Sequence, residues 1–179
     1  MISGPSGAGK TTIATAVLAR RPDIVPSIST TTRRPRRGEK DGVQYHFVPV
    51  KEFEAIAKAG GFLEHALVHG NRYGTPKAPV EEALAAGKSV LLEIDVQGSR
   101  SIREAVPDAL LIFVEPPSRD VLRERLHRRK TEDDASFALR MANAEHEMEA
   151  AREFDHRVVN DDLEEAVSEV LSILDDETG

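Results

Sequence analysis

One stretch near the start, Gly4-Pro5-Ser6-Gly7-Ala8-Gly9-Lys10-Thr11, constrains this chain more than any other. It satisfies G-x-x-x-x-G-K-[ST], a loop whose glycines turn the backbone so that its N–H groups converge on anionic oxygens. Such a loop works between a strand and a helix, because the positive N-terminal end of the helix faces the same anion. The flanks agree. Met1-Ile2-Ser3 is an apolar strand stub, and residues 10–20 read as a helix with Ile13, Val17 and Leu18 on one face, ended by Pro22. The loop is therefore a candidate nucleoside triphosphate site. Gly4, Ser6, Gly7, Ala8, Gly9, Lys10 and Thr11 would bind it, with Lys10 neutralising the β and γ phosphates and the Thr11 hydroxyl a ligand of Mg2+.

Apolar strands alternate with helices along the rest of the chain. Strands are expected at 25–29, 43–48, 62–69, 72–75, 89–95, 109–114 and 156–159. Helices are expected at 50–59, 79–86, 99–106, 118–128, 136–154 and 163–174. Residues 30–41 are polar, rich in Arg, Pro and Gly, and loop-like. The alternation implies an α/β fold with a parallel sheet covered on both faces. Residues 32–75 have a different rhythm and read as a small β-rich insert. The strand at 89–95 (SVLLEID) is apolar up to Glu93 and Asp95, which would emerge at the C-terminal end, where ligands bind in open α/β sheets.

With 179 residues the chain fits one domain and buries a sizeable core. Its formal net charge is -7, which argues against a general nucleic-acid binder. Positive charge is nevertheless clustered, at Arg33, Arg34, Arg36 and Arg37 and again at Arg119, Arg123, Arg125, Arg128, Arg129 and Lys130, which suggests local anion sites. Cysteine is absent, so there is no disulfide and no thiolate metal site. No apolar run approaches a membrane span and the MISGPSG start does not read as a signal peptide, so a cytoplasmic location is expected.

The loop does not name an acceptor; a GTPase, a motor or a small-molecule kinase would all carry one. The discriminating stretch is 27–47, SISTTTRRPRRGEKDGVQYHF. Arg33 and Arg36 flank Pro35, forming a stiffened cationic pair, and arginine forks suit a phosphate monoester dianion. Tyr45 offers a hydroxyl. A solvated charge run would show the same composition.

In this stretch and beyond it the chain resembles the guanylate kinases. Their pattern S-x-x-T-T-R-x-P-R-x-G-E-x-x-G-x-x-Y runs from Ser29, Thr31, Thr32, Arg33, Pro35, Arg36, Gly38 and Glu39 through Gly42 to Tyr45. Then come Phe62-Leu63-Glu64-His65-Ala66, Gly70-Asn71-Arg72-Tyr73-Gly74-Thr75, Ile94-Asp95-Val96-Gln97-Gly98, Phe113-Val114-Glu115-Pro116-Pro117-Ser118 and Val159-Asn160-Asp161-Asp162, in the family's order over essentially the whole chain.

The resemblance implies a P-loop kinase fold: a three-layer core with a parallel sheet (1–31 and 76–179), a β-rich GMP-binding insert (about 32–75) and a helical lid (about 127–140). It implies transfer of the γ-phosphoryl group of ATP to GMP, and to dGMP, with Mg2+. Small-molecule substrates, and neither nucleic acid nor membrane, would be the partners. Arg33, Arg36, Tyr45 and Tyr73 would hold the GMP phosphate. Glu64 and Ser29 would read guanine, with Thr75 and Asp95 nearby. Arg129 and Arg140 would close from the lid over the transferring phosphate, joining Lys10 and Arg36 as catalytic charges. Asn160 and Asp161 would lie against adenine. One carboxylate, at Glu64, suits guanine because the N1–H and N2–H2 donors of that base lie side by side, whereas adenine presents a bare N1 there.

The chain departs from the family pattern in places. Only Met1-Ile2-Ser3 precede the loop where the family has several more residues; the strand is shortened, or the true start lies upstream. The lid reads Arg125-Leu126-His127-Arg128-Arg129-Lys130, in which His127 replaces an arginine and Arg128 and Lys130 replace glycines, so a stiffer lid is expected. Glu93 stands where an aspartate is common. His65 and His69 fall on an expected strand and do not read as a metal pair. Two other readings stay open: a non-catalytic guanylate-kinase-like binding module, and a kinase for another small phosphorylated acceptor.

Overall fold

A computed structural model describes residues 1–68, 70–128 and 134–178. In chain order the elements are β1 (Ile2–Ser3), α1 (Lys10–Arg20), β2 (Ile24–Pro26), β3 (Thr30–Thr31), β4 (His46–Phe47), α2 (Val50–Lys58), β5 (Phe62–Val68), β6 (Asn71–Pro76), α3 (Lys77–Ala85), β7 (Ser89–Leu91), α4 (Val96–Ala105), β8 (Ile112–Glu115), α5 (Arg119–Arg128), α6 (Asp134–Glu149), β9 (His156–Val159) and α7 (Leu163–Thr178), with a 3-10 turn at Ala150–Glu153. They form two compact units. One holds Met1–Arg21, Glu93–Val96 and the chain from Leu110 onward; the other holds Pro22–Leu92 and Gln97–Ala109.

In the first unit β8 lies between β1 and β9, and all three run parallel. Every residue of β8 is buried, as a strand covered on both faces requires. The two residues of β1 pair with Ile112 and Phe113, and a single bridge from Ile2 to Glu93 brings segment 93–96 alongside. Ile2, Ile13, Val17, Phe113, Val114, Val158, Val167 and Val170 are among the buried apolar residues of this core. Helix α1 packs on β1 and α7. Its first turn carries no acid of its own. Helices α5 and α6 meet through Leu122, Leu126, Met141 and Ala144, with Phe137 against them.

In the second unit β2 pairs parallel with β7, and the Ser27 N–H continues the ladder to the Leu91 carbonyl at 2.9 Å. A separate sheet runs β4-β3-β6-β5, with the long hairpin β5–β6 antiparallel. Helix α2 covers β5 through Phe53, which is fully buried and stacks 4.6 Å from Phe62.

The parallel α/β architecture expected of a P-loop kinase is present, with several element boundaries moved. The β-like run at 25–29 is the three-residue β2. The loop expected at 30–41 opens on strand β3, and the strand expected at 43–48 shrinks to His46–Phe47. Local polar bonds explain that contraction: Lys40 N–H reaches the Gln44 side chain at 2.8 Å and Phe47 N–H reaches Asp41 Oδ1 at 2.8 Å, so 40–45 is a turn. Strand β7 stops at Leu91, α4 begins at Val96 rather than 99, and α6 gives way to the 3-10 turn before Phe154.

Candidate nucleotide and phosphate sites

The glycine loop lies in the first unit, between β1 and α1. Gly4 has φ 139°, and a Cβ there would stand 2.0 Å from the Val114 carbonyl oxygen of the adjoining strand. Gly9 is left-handed at φ 96°, and a Cβ there would stand 2.1 Å from Asn160 Nδ2. Both first and last glycines of the motif are thus demanded by conformation and by contact. Beneath the loop, Gly7 rests on Leu122 and Leu126 of α5.

Lys10 Nζ donates to the Gly4 and Pro5 carbonyls at 2.5 and 3.1 Å, so its charge is held over the mouth of its own loop. Thr11 Oγ1 donates to Glu93 Oε1 at 2.6 Å. A hydroxyl whose proton is engaged by a carboxylate turns its lone pairs away from that carboxylate, toward a cation. The group fits Mg2+, which Thr11 would hold with Glu93 behind it. Among the described residues no cluster of three or more His, Cys, Asp and Glu side chains forms a metal cage.

Asn160, at the end of β9, is buried, and its Nδ2 donates to the Ala8 carbonyl at 2.6 Å. Arg125 on α5 donates to the Asn160 carbonyl at 2.9 Å and approaches Ala8 O at 3.5 Å. The two side chains strap the loop from outside. Asp161 is exposed beside them.

Helix α6 adds a residue that sequence reasoning missed. Glu147 faces the loop: the Ser6 N–H points at its carboxylate, and Lys10 and Asp95 lie close enough to act on its charge. Burial pushes the Glu147 carboxyl above its ordinary value, Asp95 pushes it further, and Lys10 and Ser6 oppose both. Arg140 lies seven residues earlier on α6, hence on the same face and about 10 Å along the axis. Arg129 and His69 lie outside the described residues.

The second unit gathers Arg33, Tyr45 and Tyr73. The Arg33 guanidinium sits 5.4 Å from the Tyr45 ring centre and 5.7 Å from that of Phe47, and Tyr45 meets Tyr73 edge-on at 5.9 Å. Thr31 and Thr32 anchor this stretch to β6. Thr31 Oγ1 donates to the Arg72 carbonyl at 2.9 Å, and the Arg72 N–H donates to Thr32 Oγ1 at 2.9 Å. Glu39 grips Arg33 with both oxygens at 2.9 Å and accepts the Arg36 N–H at 2.6 Å. The Arg33 bond holds the Glu39 carboxyl below its ordinary value against the opposing effect of burial. Burial would by itself lower the Arg33 pKa, but Glu39 and the Tyr73 hydroxyl outweigh it, so the net shift is upward. The Arg36 side chain is exposed.

Glu64 on β5 and Thr75 on β6 face each other in register. Both are buried, and Thr75 Oγ1 donates to Glu64 Oε1 at 2.6 Å. A buried carboxylate is retained at a cost unless partners satisfy it, and Thr75 occupies one lone-pair position of about four. Ser29 is half-buried immediately before β3 on the same sheet, its carbonyl accepting the His46 N–H at 2.9 Å. Asp95 belongs to the first unit, with the glycine loop.

A strand-loop-helix whose glycines, lysine and threonine are held this way defines a phosphate-loop nucleotide-binding protein. The Guanylate kinase family model matches residues 1–177. The guanylate kinase of Frankia casuarinae is 47% identical over 174 residues, covering 97% of this chain and 95% of that protein. That of Synechocystis is 46% identical over 177 residues, covering 99% and 93%. The crystal structure of guanylate kinase from Anaplasma phagocytophilum superposes with a TM-score of 0.82 at 36% identity, covering 98% of this chain and 83% of that one. The chain belongs to the guanylate kinase family.

Proposed function

We propose that the chain transfers the γ-phosphoryl group of ATP to GMP, and to dGMP, giving ADP and GDP. The observation that carries the acceptor assignment is the buried Glu64 carboxylate, held by Thr75 on the sheet that also carries Arg33, Tyr45 and Tyr73. Thr75 takes one of about four lone-pair positions on Glu64, which has further polar contacts in its surroundings. Guanine N1–H and N2–H2 would donate to this carboxylate. Adenine would leave it facing a bare nitrogen, at a cost of ~1–3 kcal/mol.

The chemistry needs little beyond charge and position. The nucleophile is an oxygen of the GMP phosphate, already anionic, so no strong general base is required. Its bond to the γ-phosphorus forms as the bond from phosphorus to the β-bridging oxygen breaks, and ADP departs. Lys10, Arg36 and Arg140 supply the positive charge that offsets two approaching anions, as does Arg129 on the sequence argument. Mg2+, held at Thr11 with Glu93 behind it, would neutralise charge on the β and γ phosphates. Residues 32–75 act as the acceptor insert and 127–140 as the lid, whose closure excludes water. No described helix is long and apolar enough to cross a membrane.

A coupled assay of ADP release with ATP and GMP, AMP, UMP or CMP tests the assignment. Rapid release with GMP alone is expected. Equal rates with AMP and GMP, or none with GMP, would overturn it; ATP binding without transfer would favour a binding module.

A further inference from the structure

We infer that Glu39 is the positioning residue of the acceptor-phosphate clamp, setting both the orientation of Arg33 and the placement of Arg36. The inference rests on the acceptor reading above. Arg33 has five N–H donors. Nη1 gives one to the Arg34 carbonyl at 2.8 Å and one to Glu39 Oε2 at 2.9 Å, and Nη2 gives one to Glu39 Oε1 at 2.9 Å. Nε–H and the second Nη2–H remain, and these two lie along the side edge of the guanidinium. The Tyr73 hydroxyl lies at this group as well. A dianionic phosphate accepts bidentate pairs from just such an edge. Glu39 therefore occupies the end of the fork and leaves its side to the Tyr73 hydroxyl and the ligand.

The same carboxylate accepts the Arg36 N–H at 2.6 Å, and the Glu39 N–H donates back to the Arg36 carbonyl at 3.1 Å. These reciprocal bonds close a turn over 36–39, and Pro35 stiffens the approach to it. One side chain thus ties both arginines of the clamp to a single point. Its burial is informative: side-chain exposure is 13% for Arg33 and 17% for Glu39, well below that of a solvated surface pair. An exposed ion pair loses rotamer entropy in holding its geometry, whereas here the Arg33 guanidinium is already set against the Tyr45 and Phe47 rings.

The consequence is a clamp built before the phosphate arrives. Without Glu39, Arg33 retains its charge but loses its fixed edge, and Arg36 loses its turn. The defect falls on ligands with a phosphate and spares those without one.

The test compares wild type with Glu39→Gln and Glu39→Asp, measuring KM for GMP and ATP, kcat, melting temperature, and the dissociation constants of GMP and guanosine. Glu39→Gln is expected to raise KM and Kd for GMP by roughly 10- to 100-fold, the size of one charge-assisted bond. KM for ATP and Kd for guanosine should stay within about twofold, and kcat at saturating GMP should change less than KM. Glu39→Asp, with its charge on a shorter arm, should fall between the two. Unchanged GMP binding in Glu39→Gln would overturn the inference. So would equal weakening of GMP and guanosine, which would mark Glu39 as a fold-stabilising residue only. A wild type that binds guanosine as tightly as GMP, or that fails to phosphorylate GMP, would instead sink the acceptor reading itself.

Discussion

Replacing Gly9 by alanine tests how tightly the glycine loop is built. The residue sits at φ 96° and ψ 16°, a left-handed conformation that costs an alanine ~1–2 kcal/mol. Its new Cβ would also stand 2.1 Å from Asn160 Nδ2, so the amide must move. Moving it breaks the 2.6 Å bond to the Ala8 carbonyl, which is buried. That loss is worth ~1–3 kcal/mol, toward the lower figure here because Arg125 also approaches Ala8 O. Gly9→Ala should therefore destabilise by about 2–5 kcal/mol. Asn160→Ala alone should cost only the hydrogen bond, ~1–3 kcal/mol. In the double variant the bond is lost once and the clash has no partner. Its cost should then fall short of the sum of the single variants by ~1–3 kcal/mol. Urea unfolding of the four proteins, with m-values checked for constancy, measures this coupling. Additivity within about 0.5 kcal/mol would refute the claim that Asn160 and Gly9 press on each other.

Other outcomes follow from the same geometry. Ser3 Oγ is fully buried without a hydrogen-bond partner among the described residues. Ser3→Ala should therefore be neutral or stabilising by up to ~1 kcal/mol in thermal unfolding, and a clear loss would reveal an unseen partner. The fold raises the Glu147 carboxyl pKa above its unfolded value of 4.5, so the folded state favours the protonated form. Stability is then lost as pH rises from the unfolded pKa through the folded one. Glu147→Gln should accordingly melt above wild type at about pH 7, with the gap closing near pH 4. The same variant removes a negative charge beside the loop and should tighten ATP in a binding titration; weaker ATP would show that the carboxylate assists the site. Glu93→Gln keeps the contact with Thr11 but removes charge, so the Mg2+ concentration for half-maximal ATP affinity should rise several-fold; an unchanged value would take Glu93 out of the metal shell.

Local signals carried some elements and failed for others. Helix α1 was legible to the residue, because the loop fixes its start and Pro22 its end. Strand β9 was equally plain, a short run ending on two valines before the polar Asn160-Asp161-Asp162. Strand β3 was hidden, since two threonines become a strand only by pairing with His46–Phe47 on one side and Tyr73–Gly74 on the other. The run at 43–48 misled for the opposite reason: the Asp41 side chain captures the Phe47 amide and the Gln44 side chain that of Lys40, turning the chain and leaving Val43 exposed. The same division holds at the sites. Residues within compact motifs, from Gly4 to Thr11 and from Arg33 to Tyr45, announced themselves. Glu147 did not, because what it does depends on a contact with Ser6 across nearly the whole chain. Glu39 stood inside a motif as one more acid until its two bonds to Arg33 gave it a task.

The central claim is that one buried carboxylate chooses the acceptor base. The most direct measurement is the ratio of kcat/KM for GMP to that for AMP, in wild type and in Glu64→Gln. Glutamine keeps the size of the side chain and its reach to Thr75, and loses the charge that accepts both guanine donors. The ratio should fall by roughly 10- to 100-fold or more, mostly through GMP, while KM for ATP holds. A ratio unchanged by the substitution would contradict the account.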